Sequence, residues 1–105
     1  MNILKNKIAI DSLFEKGKSV SNGIVLAKVL ESESTSFLFA VSSKKFKRAV
    51  DRNRIKRLMK ECVRKSTITN KNIAFVYIGE GLPTFDEVNE SVSKIISKLW
   101  NLTTI

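Results

Sequence analysis

The chain has 105 residues, 43% of them hydrophobic and 28% charged, and 19 Lys and Arg against 10 Asp and Glu give a formal net charge of +9. This length and composition predict one folded domain over residues 1–105, burying roughly two thirds of the unfolded surface, and argue against disorder. The chain has no His, which excludes His-based catalysis and the common zinc sites, and its single Cys62 cannot form an internal disulfide. The few Gly residues form no phosphate-binding loop. Together these observations argue against self-contained enzymatic chemistry.

The first half of the chain predicts one helix and two strands. Residues 7–16 form a short helix closed by Gly17, and residues 24–30 and 37–41 are apolar strands. The polar run 31–36 between the strands has the composition and length of a hairpin loop. We therefore expect these two strands to pair as a hairpin.

The second half predicts a basic helix, a strand and a last helix. The strand covers residues 73–78 and is broken at Gly81, and Thr84 with Glu87 forms a capping box for the helix that follows. Trp100 lies off the apolar stripe of this helix, at the edge of the core or facing a partner. The stripe consists of Phe85, Val88, Val92, Ile95, Ile96, Leu99 and Leu102. The order α-β-β-α-β-α predicts an α+β fold.

All of the net charge lies in one segment of 22 residues. Residues 44–65 read KKFKRAVDRNRIKRLMKECVRK, with eleven Lys or Arg against Asp51 and Glu61, which is 11 − 2 = +9. The other 83 residues carry eight basic and eight acidic side chains and are neutral. A neutral body with one dense cationic element indicates that this element is the functional surface and that its partner is a polyanion.

The basic segment is amphipathic from about residue 51 to residue 66. At 100° per residue, its apolar side chains lie within about 80° of Ile55 and predict a core-facing stripe. They are Leu58, Met59, Cys62 and Val63. The opposite side presents Asn53, Lys56, Arg57, Lys60 and Arg64. In this position Cys62 is expected to be a buried structural thiol.

A solvated cationic face is the simplest alternative for such a helix. A helix exposed only to water usually alternates Glu with Lys, because like charges at i,i+4 repel by a few tenths of a kcal/mol. In this helix the i,i+4 neighbours Lys56, Lys60 and Arg64 are all cationic and repel one another. A phosphate backbone bound along this face would relieve the repulsion. If about six to ten of the cations meet phosphates, affinity falls by about three to five decades between 50 and 200 mM salt.

The first helical turn adds groups that recognise shape as well as charge. Arg52 and Arg54 present planar forks that grip a phosphate or a base edge in two places, and Asn53 both donates and accepts hydrogen bonds. Four more cations precede the helix and extend the strip past its end. They are Lys44, Lys45, Lys47 and Arg48.

The residues of this segment resemble the signature of the bacterial ribonuclease P protein family. They read SSKKFKRAVDRNRIKRLMKECVR, with a Ser-Lys-Lys stretch, an Ala-Val and then Arg-Asn-Arg-x-Lys-Arg-Leu on a helix. The run Leu13-Phe14-Glu15-Lys16-Gly17 stands where that family has a helix ending in Phe-x-x-Gly. The resemblance implies a small sandwich with about four strands, in the order α-β-β-(β)-α-β-α. It also implies that the basic helix lies in a left-handed βαβ crossover, against the usual right-handed rule.

The resemblance implies a protein subunit that binds the ribonuclease P RNA, contacts the 5′ leader of precursor tRNA and supports leader removal. The magnesium-dependent cleavage belongs to the RNA subunit, so the protein contributes no catalytic residue, binds no cofactor of its own and acts as a monomer in a 1:1 ribonucleoprotein. The implied RNA-binding residues are Lys44, Lys45, Lys47, Arg48, Arg52, Asn53, Arg54, Lys56, Arg57, Lys60 and Arg64.

The resemblance also implies a leader-binding cleft between the first helix and the sheet, formed here by Ile10, Phe14 and Lys28. The family places aromatic side chains in this cleft, where unpaired bases stack. Phe14 fits one such position. Ile10 and Lys28 replace aromatic residues at two others, so we expect leader contact to depend more on charge than on stacking.

Two other functions fit a basic helix. One is a structural ribosomal or DNA-binding protein without a catalytic partner. The other is an amphipathic helix on an anionic membrane, which would leave the apolar stripe open to lipid. The chain has no apolar run of roughly 20 residues and no signal peptide in MNILKNKIAI, and its lone Cys fits a reducing compartment. We therefore expect a cytoplasmic protein without a membrane partner.

Overall fold

Three helices and a four-stranded mixed sheet make up the computed structural model, which describes residues 2–64, 66 and 68–103, with side chains up to residue 99. The elements are α1 (Lys7–Lys16), β1 (Lys18–Asn22), β2 (Val25–Glu31), β3 (Ser36–Val41), α2 (Ala49–Arg64), β4 (Lys71–Tyr77) and α3 (Phe85–Thr103). Lys65 and the side chains of Trp100 and Leu102, which entered the sequence analysis, lie outside this description. The architecture is the α+β fold that the sequence predicts.

The strand order in the sheet is β1-β2-β4-β3. β2 pairs antiparallel with β1 and with β4, whereas β3 pairs parallel with β4. The predicted hairpin of β2 with β3 is therefore wrong, because β4 lies between them. β4 is the strand buried on both faces, with Ile73, Ala74 and Phe75 fully buried, and a central position gives such a strand two hydrogen-bonding neighbours.

β1 is a strand that the hydrophobic pattern did not reveal. Its sequence, KSVSN, has Val20 as its one apolar residue, because β1 lies at the edge of the sheet and only one of its side chains reaches the core. The turn to β2 passes through Gly23 at φ +55°, a left-handed conformation that glycine adopts without strain. The family resemblance did imply an additional strand, and β1 supplies it.

One face of the sheet carries the main core. Phe37, Phe39 and Phe75 stack there with centroids 5.8 to 6.5 Å apart, and α2 and α3 pack over them. Buried residues of α3 are Val88, Val92, Ile95 and Leu99. They confirm the predicted stripe, while Phe85 at the first helical position stays 38% exposed.

The opposite face of the sheet carries α1. Leu13 is fully buried against Ala74 and Leu4, and Ile10 and Leu38 pack at the edge of this smaller cluster. The N-terminal segment is held beside β3, where the Leu4 amide donates to the Phe37 carbonyl at 2.7 Å. The sheet therefore separates two helical layers, α1 on one side and α2 with α3 on the other.

The helix ends follow local signals. Asn6 caps α1 by accepting from the amides of Ile8 and Ala9 at 2.9 and 3.3 Å. The capping box of α3 is confirmed, since the Thr84 amide donates to Glu87 Oε1 at 2.9 Å and the Glu87 amide donates to Thr84 Oγ1 at 3.3 Å. α2 connects the parallel strands β3 and β4, which is the βαβ unit that the resemblance implied. Its left hand stays an expectation from that resemblance.

Candidate nucleic-acid interface

The apolar side of α2 is buried in the main core. Ile55 and Met59 have no exposed surface, Cys62 and Val63 are buried beside them, and Leu58 is partly buried. This confirms the predicted stripe and the buried position of the Cys62 thiol. Because the stripe is covered by the sheet and α3, it is not available to lipid, which contradicts the membrane-surface alternative.

The other side of α2 presents the cations. Asn53, Arg54 and Arg57 are exposed, and Lys56 is half-buried. They stand on one rigid helix within two turns, so their spacing is fixed before any partner binds. A row of guanidinium and amide groups at fixed spacing suits phosphate oxygens, which accept bidentate hydrogen bonds from Arg.

Two cations further along α2 already have partners within the protein. The Lys60 ammonium lies 5.9 Å from the centroid of the Phe39 ring, a cation–π contact at the border of the core. Arg64 Nη1 lies 3.2 Å from Glu61 Oε1 in an exposed i,i+3 pair, which stabilises the helix little. Glu61 is thus a local counter-charge at the C-terminal end of the cationic face.

The four cations before α2 lie on an ordered loop, residues 42–48. The Ser42 Oγ accepts from the amides of Lys44 and Lys45 at 3.2 and 3.4 Å, which bends the chain into a turn after β3. Phe46 anchors this turn: its ring is only 7% exposed and packs on Tyr77 with centroids 5.7 Å apart. Lys44, Lys47 and Arg48 are exposed around this anchor.

Lys45 connects the loop to the segment after β4. Its Nζ lies 3.1 Å from Glu80 Oε1 and donates to the Ile78 carbonyl at 3.4 Å. The Lys45 side chain is 40% exposed and that of Glu80 88% exposed, so this pair contributes little to stability. The pair nevertheless places Lys45, one of the predicted RNA-binding cations, beside a carboxylate of the same protein.

Arg52 points toward its own loop. Its Nη1 donates to the Phe46 carbonyl at 2.7 Å and to the Lys47 carbonyl at 3.0 Å. The Arg52 amide also donates to the Arg48 carbonyl, at 3.2 Å, as part of the first helical turn. The predicted triplet is therefore divided, with Asn53 and Arg54 exposed and Arg52 engaged within the protein.

The three residues of the predicted leader cleft lie on the α1 side of the sheet. Phe14 is 40% exposed, whereas Ile10 is half-buried in the cluster of Leu13 and Ala74. Lys28 is half-buried on β2, where its Cα pairs with that of Ala74, so it shares the face that α1 covers. The structure thus brings these residues to one layer and the cationic strip to the other.

Tyr77 and Phe46 pack beneath the candidate site, a position that the sequence pattern did not predict. Tyr77 is the last residue of the apolar strand β4, so the pattern predicts only a core residue there. Phe46 lies between Lys45 and Lys47, outside any apolar repeat that would predict its burial. The Tyr77 hydroxyl donates to the Gly81 carbonyl. Burial, and then the negative charges of Glu87 and Glu80, raise the pKa of Tyr77. The contact of the two rings thus fixes loop 42–48 to the end of β4.

Two features are absent from the part of the chain that the structure describes. Within residues 2–64, 66 and 68–103, no three His, Cys, Asp or Glu side chains gather closely enough to hold a metal ion. In the same part of the chain, no helix combines the length and apolar composition of a membrane span. The site is built from cations, an amide and two supporting rings, which can bind a polyanion.

A four-stranded mixed sheet whose parallel pair is joined by a cationic helix defines a small α+β protein with one charged crossover. The family model described as Ribonuclease P matches residues 1–100. The ribonuclease P protein component of Acholeplasma laidlawii is 32% identical over 100 residues, covering 90% of this chain and 86% of that protein. That of Borrelia turicatae is 36% identical over 78 residues, covering 71% and 68%. The chain belongs to the ribonuclease P protein family.

Solved structures show the same fold. The RNase P protein of Staphylococcus aureus superposes with a TM-score of 0.81 at 23% identity, covering 94% of this chain and 95% of that one. The RNase P protein from Thermotoga maritima gives 0.80 at 18% identity, covering 93% and 97%. These likenesses confirm the fold class that the sequence resemblance implied.

Proposed function

We propose that this chain is the protein subunit of a ribonuclease P, which binds the catalytic RNA and the 5′ leader of precursor tRNA and assists endonucleolytic removal of the leader. The observation that carries the proposal is the concentration of charge on α2 and its preceding loop, which hold ten Lys or Arg against Asp51 and Glu61, or +8 of the net charge of +9, in a chain that belongs to this family. Hydrolysis of the phosphodiester, which depends on Mg²⁺, belongs to the RNA subunit. The protein supplies charge and shape and needs no cofactor.

The RNA subunit would bind along α2 and its loop. Arg54 and Arg57 are exposed on one helical face and offer two-pronged donors to phosphate oxygens, with Asn53 beside them. The remaining contacts would come from Lys44, Lys47, Arg48, Lys56, Lys60 and Arg64, with Lys45 exchanging Glu80 for phosphate. Neutralising phosphates in this way releases counterions, which makes the affinity strongly dependent on salt.

The leader would bind in the other layer. Phe14 offers an exposed ring on which an unpaired base can stack, and Lys28 offers a charge for the backbone on the same face of the sheet. Ile10 would shape the cleft from within the small apolar cluster. Because α1 and α2 cover opposite faces of the sheet, one monomer can contact the RNA subunit and the leader at the same time, as a 1:1 complex requires.

A protein-dependent cleavage assay tests the proposal. Precursor tRNA is incubated with a bacterial ribonuclease P RNA at low magnesium, where the protein's cations replace part of the ionic screening, with and without the protein. We expect strong stimulation, which the variant Arg54→Ala/Arg57→Ala loses while its thermal unfolding is unchanged. That variant should also lower the slope of log affinity against log salt by about 2.

The matched control removes two charges elsewhere. Lys94→Ala/Lys98→Ala changes the net charge equally, on the exposed side of α3, and should keep the stimulation. Absence of stimulation with a cognate RNA, combined with salt-sensitive binding of nucleic acid, would contradict the proposal and favour a structural ribosomal or DNA-binding protein.

A further inference from the structure

We propose that Arg52 is a positioning residue, which fixes loop 42–48 to α2 so that the loop and the helix present one rigid cationic surface. The inference rests on the proposed function, because it concerns how that surface binds RNA. It assigns to Arg52 a role different from that of Arg54, two residues away in the same triplet.

The geometry around the Arg52 guanidinium carries the inference. One nitrogen, Nη1, donates to two successive carbonyls, those of Phe46 and Lys47, at 2.7 and 3.0 Å. Both hydrogens of that nitrogen are thus engaged in charge-assisted bonds, which are stronger than neutral ones. A phosphate could take this nitrogen only by displacing the loop, so Arg52 can meet a phosphate without losing its loop contacts only through Nε or Nη2.

The loop has a second anchor, which Arg52 does not provide. Phe46 is packed on Tyr77, and its amide donates to the Ser42 carbonyl at 3.1 Å. Between that anchor and the start of α2 at Ala49 lie Lys47 and Arg48. Arg52 holds this short span by donating to the Phe46 and Lys47 carbonyls. Without the Arg52 side chain, the Phe46 anchor remains at one end and the Asp51 amide still donates to the Arg48 carbonyl at the other, but the Lys47 carbonyl between them loses its hydrogen bond.

Holding these cations in place before binding favours RNA affinity. Ordering charged side chains and a loop at an interface opposes association, and a loop ordered beforehand avoids that loss. The effect of Arg52 on RNA binding is therefore transmitted through Lys47 and Arg48. A direct phosphate contact by Arg52 would act independently of them.

A double-mutant cycle distinguishes the two roles. The dissociation constant for ribonuclease P RNA is measured at fixed salt for the wild type, Arg52→Ala, Lys47→Ala and the double variant. We expect Arg52→Ala to weaken binding on the order of tenfold, and Lys47→Ala to weaken it in the wild type but hardly at all in the Arg52→Ala background. Equal effects of Lys47→Ala in both backgrounds would overturn the proposal. The parallel cycle of Arg54→Ala with Lys47→Ala should be additive.

The RNA affinities of conservative Arg→Lys variants distinguish positioning by Arg52 from general destabilisation of the protein. Arg52→Lys keeps the charge but replaces the planar, weakly hydrated guanidinium, so we expect it to bind RNA nearly as poorly as Arg52→Ala. Arg54→Lys keeps a cation for phosphate and should retain most of the affinity. If Arg52→Ala does not fold, Arg52→Lys takes its place in the cycle. Wild-type affinity in Arg52→Lys would contradict positioning by the guanidinium.

Backbone order parameters of the free protein, measured by NMR relaxation, test the loop without RNA. Those of Lys47 and Arg48 should fall in Arg52→Ala and Arg52→Lys relative to the wild type, and Arg54→Ala should leave them unchanged. Unchanged order parameters in both Arg52 variants would refute the positioning role even if RNA binding falls. If the wild type itself fails to bind ribonuclease P RNA, the proposed function fails instead, and the wild-type measurement alone reveals that.

Discussion

At the scale of single residues, Tyr77, Gly17 and Arg52 position the segments on which the cations and the predicted cleft lie. The Tyr77 ring packs on the Phe46 ring, and its hydroxyl donates to the Gly81 carbonyl. Gly17, which has no side chain, lets the chain after α1 pass close to β2. Neither role is visible in the sequence pattern, because Tyr77 meets Phe46, and Gly17 meets the Val29 carbonyl, only once the chain is folded. Arg52 is the same kind of case: its residue type suggested RNA contact, and its position in the fold directs it to two carbonyls.

Gly17 is expected to be intolerant of a side chain. A Cβ at this position would collide with the Leu13 carbonyl oxygen and lie 3.1 Å from the Val29 carbonyl oxygen, both of them backbone atoms that cannot move easily. Gly17→Ala should therefore lower the free energy of unfolding by about 1–3 kcal/mol in urea denaturation. Gly81→Ala is the control, since a Cβ there meets no atom within 4 Å. Equal stability of the two variants would contradict this account.

Tyr77 should make the fold sensitive to alkaline pH. Burial, with Glu87 and Glu80, raises the pKa of Tyr77 above its ordinary value of 10.0, so the folded protein keeps the proton after the unfolded chain has lost it. The stabilisation is complete below about pH 10 and is lost as the pH rises through the folded pKa. In urea denaturation between pH 8 and 11 (about the range of Tyr ionisation), Tyr77→Phe should be about 1 kcal/mol less stable than the wild type at the lower end of that range. It should also lose less stability than the wild type above pH 10.

At the scale of elements, the helices were predictable and the strand pairing was not. α1 begins and ends where its sequence predicts, because Asn6 and Gly17 act within a few residues of the helix. β4 separates β2 from β3 by pairing with residues 36 to 52 positions away in the chain, which a local pattern cannot reveal. The cationic face of α2 followed from its 3.6-residue period, whereas the inward bonds of Arg52 and Lys45 depend on tertiary structure.

The capping box at Thr84 gives an element-scale prediction. Thr84→Ala removes the Oγ1 acceptor of the Glu87 amide and should lower the free energy of unfolding by about 1 kcal/mol in urea denaturation. Thr84→Ser keeps the hydroxyl and should stay close to the wild type. RNA binding should be unaffected in both, since α3 lies outside the proposed interface. A destabilised Thr84→Ser variant would show that the methyl group of Thr84, and not the cap, matters.

At the scale of the whole molecule, the sheet divides the surface into a cationic layer and a mixed layer. Loop 42–48 and α2 carry ten Lys or Arg against Asp51 and Glu61, which is +8 of the net charge of +9, and the α1 side carries the partly exposed Phe14 and Lys28. Two surfaces of different chemistry on opposite faces suit two different partners. Mutations in one layer should therefore change one binding event and leave the other intact.

Phe14 tests that separation. Phe14→Ala should weaken binding of leader-bearing precursor tRNA to the assembled ribonucleoprotein, relative to mature tRNA, by about 1–3 kcal/mol, the usual contribution of one base stacked on an aromatic ring. Its affinity for the RNA subunit should not change. Ile8→Ala is the matched control, because Ile8 is 77% exposed on the same helix and lies about 120° from Phe14 around the helix axis. Equal losses in the two variants would argue against stacking at Phe14.

β4 occupies the middle of the sheet, yet it follows α2 along the chain. A ribosome therefore releases the cationic segment before the strand that joins β2 to β3 exists. Until residues 71–77 emerge, Ile55 and Met59 have no completed core to pack on, so α2 lacks the contacts that hold its cationic face in place. The surface proposed to bind RNA is thus assembled late in synthesis, which delays recognition until the nascent chain can fold.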